Sequence, residues 1–286
     1  MTQDIERAHT EDELKPASAG GRNIKLIIAY DGAGFCGWQK QQADFTQPKE
    51  NTDAAVVRKP SVQGTIEQAL KKIHGLNIVN LTGSGRTDTG VHAAGQAANF
   101  YSNIDSIPAE RFASALNSLL PKDVRIISSC EEGENFHARF SAYSRTYRYQ
   151  FICGRRLLPN ENHFNLHLNC FPDIRLLNAY GRLLLGEKDC SIFSGSGDAS
   201  KSKHRYIYNA VFFIEGNRLI FEITANAFLR KMVRSITGTF LHYGEKGTPP
   251  EKLSEIIASQ ERSLAGPTLP PQGLFLWKVD YGKLNK

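Results

Sequence analysis

The sequence predicts a mixed α/β protein of the α+β class, organised as two halves. Some runs alternate polar and apolar residues, as half-buried strands do, and others repeat apolar residues every three or four positions, as helices do. Both halves are predicted to run strand, helix, strand, strand, helix, with a junction near residues 153–171. We expect residues 1–23 to form a disordered leader, residues 24–153 the N-terminal half and residues 154–286 the C-terminal half.

In the N-terminal half, a first strand precedes a helix, which is followed by strands around a second helix. Ser61 is a suitable N-cap for a helix through about His74, because Ile66 and Leu70 fall on one face. Residues 43–60 are polar, lack alternation and predict a long surface loop or insertion. Strands are expected at residues 24–30, 96–101, 124–129 and 139–153, and the second helix at 109–119.

In the C-terminal half, a helix precedes a hairpin, two further helices and a last strand. The hairpin is expected to turn at residues 215–217. Asn226 is expected to cap a helix whose apolar stripe includes Leu229, Val233 and Phe240. The other helices are expected at residues 173–185 and 251–259, and the strands at 205–214, 218–225 and 274–281.

The composition is that of a globular protein with a modest positive charge. Hydrophobic residues make up 41% of the 286 residues, and the formal net charge is +6. No apolar run approaches the roughly 20 residues of a membrane-spanning helix, and the start of the chain resembles neither a signal peptide nor a transit peptide. The charge is compatible with a nucleic-acid partner but does not require one.

The cysteines indicate a reducing compartment. There are five, an odd number, and none are paired at the C-x-x-C spacing of a structural zinc site or a redox motif. We therefore expect reduced thiols, no metal site and a cytoplasmic location.

Basic residues fall in three clusters that also contain aromatic rings, at residues 136–149, 201–208 and 226–234. Arg and Lys neutralise phosphates, and Tyr and Phe offer faces on which unstacked bases can lie, so a nucleic-acid groove needs both. The alternation around Tyr147 is equally typical of a half-buried strand. The clusters therefore favour nucleic acid only moderately.

The stretch GSGRTDTGVHAAGQ, residues 83–96, places Asp88 in a glycine-rich run beside Arg86. A phosphate-binding loop is a poor match, because the third glycine is displaced to Gly90 and a carboxylate stands where the anion would bind. Aspartic proteases use the same D-T-G triplet, but they need two carboxylates that share a proton. This chain has no second D-[ST]-G, and Arg86 favours the ionised form of Asp88. An Arg–Asp pair that braces a surface turn stays open on these residues alone.

Several other stretches supply a context for this one. IAYDGAGFCGWQ lies at residues 28–39, SVQGTIEQAL at 61–70, FHARFSAYSRTYRY at 136–149, ANAFLRKMVRSITG at 225–238 and AGPTLPPQGLFLWKVDY at 265–281. In order and spacing they resemble motifs of the TruA family of tRNA pseudouridine synthases, whose active-site motif GxGRTDxGVHAxGQ is similar to the stretch around Asp88. The resemblance covers nearly the whole chain, from about Lys25 to Tyr281.

The resemblance implies a pseudouridine synthase fold, with two α/β halves around a central, mainly antiparallel sheet and flanking helices. It implies a homodimer that isomerises uridine to pseudouridine in the anticodon arm of tRNA, at positions 38, 39 and 40. It implies no metal and no small-molecule cofactor.

The resemblance also assigns roles to residues. Asp88 matches the catalytic aspartate, Tyr147 the tyrosine that stacks on the target base, and Arg234 the basic residue that pairs with the aspartate. Arg86 matches an arginine that holds the substrate. The other expected substrate-binding residues are His92, Arg139, Arg145, Arg148, Arg230 and Leu274. For His92, a hydrogen-bonded structural role stays open beside contact with RNA.

An ionised carboxylate suits this reaction, in which the N-glycosidic bond breaks, the uracil rotates and C5 joins C1′. Asp88 can act as a nucleophile or as a general base, and the sequence leaves both open. Arg230 and Arg234 lie one turn apart on the helix expected after Asn226, so one can reach Asp88 while the other reaches a phosphate. A catalytically silent RNA-binding protein and a dimeric aspartic protease stay as alternatives.

Two features depart from the family pattern. Residues 43–60 make a longer connection than is usual after the GWQxQ motif, and Thr89 stands where the family usually has Ala. We expect the threonine to leave activity intact. We expect the insertion to affect RNA selectivity more than chemistry.

Overall fold

The computed structural model describes residues 21–40 and 59–282, which form a ten-stranded sheet with helices packed against it. The strands are β1 (Arg22–Tyr30), β2 (Thr82–Gly83), β3 (His92–Ser102), β4 (Val124–Glu132), β5 (Ser144–Cys153), β6 (Leu166–Leu168), β7 (Gly186–Asp189), β8 (His204–Glu215), β9 (Arg218–Ala225) and β10 (Leu274–Asp280). The α-helices are α1 (Val62–His74), α2 (Phe112–Asn117), α3 (Ile174–Leu183), α4 (Met232–Glu245) and α5 (Pro250–Ala258).

The last strand joins the two halves of the sheet. The strand order is β4, β1, β3, β10, β5, β9, β8, β7, with β2 beside β3 and β6 beside β5. β10 pairs in parallel with β3 and antiparallel with β5, and the other long strands pair antiparallel. The predicted mixed α/β fold, with a mainly antiparallel central sheet and flanking helices, is thereby confirmed.

The buried hydrophobic side chains form two cores, each made mainly by one half. In the N-terminal half the core joins Ile66 of α1 to Leu26 of β1, and in the C-terminal half it joins Ile236 of α4 to Phe221 of β9. All four side chains are fully buried, and burial of one such side chain contributes about 1.5–3 kcal/mol to stability. Tyr147 of β5 packs against both cores. It therefore lies where the two halves meet.

The predicted first helix is confirmed at both ends. The Ser61 hydroxyl accepts a hydrogen bond from the backbone N–H of Gly64 and caps α1. Gly75 ends α1 at a φ of 61°, the left-handed conformation that glycine adopts without strain. The hairpin of β8 and β9 and the helices α3 and α5 also lie within two residues of their predicted bounds.

Several boundaries differ from the predictions. β1 begins at Arg22, so Arg22 and Asn23 belong to the sheet rather than to a leader. The predicted helix over 109–119 is a 3₁₀ turn, Ala109–Arg111, followed by the short α2. Residues 1–20 of the predicted leader, and the 43–60 insertion up to residue 58, lie outside the described residues. The short strands β2, β6 and β7 were not predicted, because runs of two to four residues carry no alternation.

The long strand predicted over 139–153 begins only at Ser144. The residues before it form a turn around His137. Its Nδ1 accepts hydrogen bonds from the backbone N–H groups of Arg139 and Phe140, and its carbonyl accepts one from Ser141. These hydrogen bonds occupy backbone groups that would otherwise be free to pair with a neighbouring strand, so the strand does not extend over these residues.

The helix predicted to follow Asn226 begins instead at Met232. The Asn226 side chain accepts hydrogen bonds from the backbone N–H groups of Tyr206 and Ala227, which keeps Asn226 at the end of the β8–β9 hairpin. The predicted apolar stripe is nevertheless buried, because the connector that precedes α4 also faces the core. Over the described ranges, no helix combines the length and the apolar character needed to cross a membrane.

Candidate active site

A cavity of about 930 Å³ lies where the two halves meet. Among the described residues that line it, cationic side chains far outnumber carboxylates, which suits a polyanionic ligand. The cationic residues are Lys40, Arg86, Arg139, Arg145, Arg205, Arg230, Lys231 and Arg234, and the carboxylates are Asp88 and Asp198.

The loop that carries Asp88, residues 83–91, is held by hydrogen bonds from residues close to it in space. The Ser84 hydroxyl lies 2.6 Å from Gln96 Oε1, and the Gln96 amide donates to the carbonyl of Gly85 at 3.0 Å. Gly83 lies against Trp38, and a Cβ at this position would be 2.5 Å from the indole ring. Glycine is therefore the residue that fits this position.

The two threonines beside Asp88 both form hydrogen bonds with residues between Tyr30 and Cys36. The Thr87 hydroxyl lies 2.8 Å from the buried Tyr30 hydroxyl, and the Thr89 hydroxyl donates to the carbonyl of Cys36 at 2.8 Å. The residue that departs from the family pattern, Thr89, thus adds a hydrogen bond that an alanine could not make.

Asp88 and Arg234 lie together at the cavity, as the resemblance implies. Arg234 Nη1 donates to Asp88 Oδ2 at 3.2 Å, and Arg234 Nε donates to the carbonyl of Leu269 at 2.7 Å. The two side chains are 13% and 30% exposed, so Arg234 is largely enclosed while the carboxylate is open to a ligand. Arg86 is exposed at the rim of the same cavity.

Tyr147 lines the cavity beside this ion pair. Its ring packs edge-on against Phe228, with 5.0 Å between centroids. Burial raises the pKa of the Tyr147 phenol, and the Asp88 carboxylate raises it further. The phenol therefore keeps its proton at neutral pH and presents a neutral aromatic ring.

The structure places most of the other expected substrate-binding residues in the cavity wall. Arg139 is exposed, and its guanidinium lies 5.4 Å from the Phe140 ring. Leu274 is buried at the start of β10 and forms part of the apolar floor. Arg230 also lines the cavity, but from the connector before α4 and not from a helix face. The expectation that Arg230 and Arg234 lie one turn apart on one helix is therefore wrong.

Arg145 lines the cavity, but it also binds the protein itself. Its guanidinium donates to the carbonyls of Arg139, Ser84 and Asn226 at 2.6, 3.0 and 2.8 Å. These bonds join three segments of the cavity wall. The predicted contact of Arg145 with substrate stays a prediction.

Two expected substrate-binding residues lie elsewhere. Arg148 follows Tyr147 on β5 and so lies on the opposite face of the sheet, where it stacks 4.2 Å from the Trp277 ring and donates to Glu222 at 2.7 Å. It lines a separate pocket there. The structure therefore does not bring Arg148 together with Asp88, and the predicted contact of Arg148 with substrate stays a prediction.

His92 is fully buried and does not line the cavity. Its Nδ1 accepts from the backbone N–H of Gly32, its Nε2 lies 2.7 Å from the carbonyl of His163, and its ring stacks on Phe275. Burial lowers its pKa. His92 braces the protein, which corrects its expected role in binding substrate.

Sequence reasoning missed Asp198 and Phe228. Phe228 lies inside a basic aromatic cluster noted in the sequence, which was a usable signal. Asp198 stands in a polar, glycine-rich stretch, and only its burial distinguishes it. Within the described ranges, no three His, Cys, Asp or Glu side chains lie close enough together to hold a metal ion.

The family model described as tRNA pseudouridine synthase matches residues 26–141 and 181–282, and the chain belongs to that family. A relative from Treponema denticola, named tRNA pseudouridine synthase A, is 51% identical over 264 residues, which are 92% of this chain and 94% of the relative.

Other similar proteins carry the same name. A protein of the same name from Treponema pallidum is 46% identical over 86% of this chain and 84% of its own length. One from Caldicellulosiruptor saccharolyticus is 42% identical over 91% of this chain and all of its own length. Among solved structures, a chain from a Cbf5–Nop10–Gar1 complex aligns with 77% of this chain over 53% of its own length. Its sequence identity is 12% and its TM-score is 0.30. That likeness is too low to support a conclusion.

Proposed function

We propose that this chain isomerises uridine to pseudouridine in the anticodon arm of tRNA, at positions 38, 39 and 40. The observation that carries the proposal is the Asp88–Arg234 ion pair beside Tyr147, in a cavity lined mostly by cationic side chains. The names of the relatives support tRNA as the substrate. The position within the tRNA rests on the resemblance to the TruA family.

The arrangement suits each step of the reaction. A uridine must leave its stack, at a cost of a few kcal/mol, and an aromatic ring such as Tyr147 returns roughly 1–3 kcal/mol by stacking on the extruded base. The Asp88 carboxylate can then act as a nucleophile or as a general base while the N1–C1′ bond breaks. The released uracil rotates, C5 bonds to C1′ as any Asp88–C1′ bond formed earlier breaks, and C5 then gives up its proton while N1 takes one up. Arg234 holds the carboxylate in place for both bond changes.

The same proposal includes a homodimer in the cytoplasm. Support for the homodimer comes from the resemblance to the family. Support for the cytoplasm comes from the cysteines, because Cys130, Cys153, Cys170 and Cys190 are free thiols, as is usual in a reducing compartment.

The site does not favour the protease alternative. A protease needs two carboxylates that share one proton. Of the described carboxylates that line the cavity, the one besides Asp88 is Asp198, which is 4% exposed and bonded to Lys203. Asp88 itself is paired with Arg234 and not with a second carboxylate.

The test is to incubate the protein with unmodified tRNA and to map pseudouridine along the product. We expect modification at positions 38, 39 and 40, and its loss in Asp88→Asn while tRNA affinity stays nearly unchanged, because the amide keeps the shape but cannot act as nucleophile or base. Asp173→Asn is the matched control: Asp173 caps α3 away from the cavity, and asparagine caps helices equally well.

Substantial turnover by Asp88→Asn would refute the assignment of Asp88. Tight tRNA binding without any pseudouridine in the unaltered protein would favour a silent RNA-binding protein instead. Cleavage of peptides would favour the protease.

A further inference from the structure

The connector between β9 and α4 contains a strained residue next to the site. Lys231 has a φ of 59° and a ψ of 8°, in the left-handed region that residues other than glycine adopt rarely. It immediately precedes α4 as the N-cap residue, and its side chain makes no capping hydrogen bond to that helix. A conformation of this kind persists only where the surrounding structure fixes it.

Asp198, from the loop between β7 and β8, supplies the fixing contacts. Its Oδ2 accepts the backbone N–H of Arg230 at 2.5 Å, and its Oδ1 accepts from the backbone of Ser200 at 2.9 Å and from Lys203 Nζ at 2.6 Å. Burial alone would raise the pKa of Asp198, but its hydrogen bonds to Lys203, Arg230 and Ser200 outweigh burial and lower it. The carboxylate is thus ionised, 4% exposed and fully bonded to the protein.

Two further hydrogen bonds join the same loop to the connector. The backbone N–H of Gly195 donates to the carbonyl of Arg230 at 2.8 Å, and Arg230 Nη1 donates to the carbonyl of Ser196 at 3.2 Å. A Cβ at Gly195 would lie 2.9 Å from the Arg230 carbonyl. Arg230 is therefore held through its backbone N–H, its carbonyl and its side chain.

The connector controls where Arg234 lies. α4 begins at Met232, so Arg234 is in its first turn, three residues after Lys231. The direction in which a helix leaves a turn depends on the dihedral angles of that turn, so a change at Lys231 would displace the first turn as a unit. Arg234 makes its hydrogen bonds to Asp88 and Leu269 from this turn.

We infer that Asp198 is a positioning residue, which fixes the turn at Lys231 and thereby sets Arg234 against Asp88. This inference rests on the proposed function, because it takes the Asp88–Arg234 pair to serve the reaction. Asp198 itself touches neither member of that pair in these contacts. Its effect on the rate should therefore pass through Arg234.

A double-mutant cycle tests this dependence. Single-turnover rates of pseudouridine formation on unmodified tRNA are measured for the unaltered protein, Asp198→Ala, Arg234→Gln and the double variant. We expect Asp198→Ala to lower the rate about tenfold when Arg234 is present and less than about twofold when it is Gln, with tRNA affinity nearly constant. Equal losses in both backgrounds would overturn the inference, because a general loss of structure does not depend on Arg234.

A second measurement does not require activity. The ¹⁵N-labelled Nε–H of Arg234, which donates to Leu269, gives an NMR signal that reports its position, and the amide of Arg230 reports its hydrogen bond through slow exchange. We expect Asp198→Ala to shift the first and to speed exchange of the second. Asp198→Asn, which keeps an oxygen for the Arg230 N–H but loses the charge that Lys203 binds, should give a smaller change.

Glu255→Gln is the control, because Glu255 pairs with Lys252 on the exposed face of α5 and should change neither signal. An unchanged Arg234 signal in folded Asp198→Ala would overturn the inference. Should Asp198→Ala not fold, Asp198→Asn decides the question by the same signal. If the unaltered protein forms no pseudouridine, the proposed function fails while this measurement still decides the role of Asp198.

Discussion

The two segments that meet at the Asp88–Arg234 ion pair are held in different ways. Residues 83–91, which carry Asp88, are held by a glycine that fits against Trp38 and by hydrogen bonds from several neighbouring side chains. Residues 226–234, which carry Arg234, contain a strained turn held by Asp198, which is 32 residues before Arg230 in the chain.

The loop that carries Asp88 supplies the reacting group, whereas the segment that carries Arg234 sets how the ion pair is aligned. The proposed catalytic carboxylate lies on a loop fixed independently at several points, so loss of any one contact should leave it nearly in place. Its cationic partner is 146 residues away, in the other half, and follows a strained turn whose contacts converge on one residue, Arg230. Alignment of the pair is therefore more sensitive to changes in the C-terminal half than in the N-terminal loop.

The largest expected effect is that of removing the cation. Arg234→Ala should lower the single-turnover rate about 100-fold, comparable to loss of one charge-stabilising group at an active site, because Asp88 loses its partner. Arg234→Lys should be intermediate, since an ammonium cannot bond Asp88 and the Leu269 carbonyl with the fixed geometry of a guanidinium. Arg175→Ala, at an exposed position on α3 outside the cavity, is the matched control and should leave the rate within about twofold. A rate for Arg234→Ala within threefold of the unaltered protein would contradict the importance of the pair.

A smaller effect should follow from crowding the N-terminal loop. Gly83→Ala places a methyl group 2.5 Å from the Trp38 ring and should lower the free energy of unfolding by about 1–3 kcal/mol, as overpacking does. Gly85→Ala is the control two residues away, where a Cβ would meet nothing within 4 Å, and it should change stability by less than about 0.5 kcal/mol. Urea denaturation of the two variants gives both values. Equal destabilisation would show that the contact with Trp38 is not what requires glycine.

The smallest effect should come from Thr89. Thr89→Val removes the hydrogen bond to Cys36 without changing the shape of the side chain, and should lower the free energy of unfolding by about 0.5–1 kcal/mol. The rate should change less than threefold, because the other contacts of the loop remain. Thr89→Ser should restore most of the stability. A tenfold loss of rate in Thr89→Val would show that the loop depends on single contacts, as the connector before α4 is proposed to do.

Local signals explain most of what the sequence predicted correctly. Ser61 caps α1 through a bond within three residues, and the β8–β9 hairpin follows from alternation on either side of a short turn. The pairing of Asp88 with Arg234 was available only from the resemblance, since no local pattern joins positions so far apart.

The sequence by itself determined the fold class, the helices with strong caps and the motif that contains Asp88. The tertiary structure decided where α4 begins, because Asp198 and Arg145 bind the connector from outside its own segment. It also decided that His92 is braced in the core. Hydrogen bonds between distant segments can outweigh a local helix preference worth less than about 1 kcal/mol per residue, and no local pattern in a sequence shows which distant groups will make them.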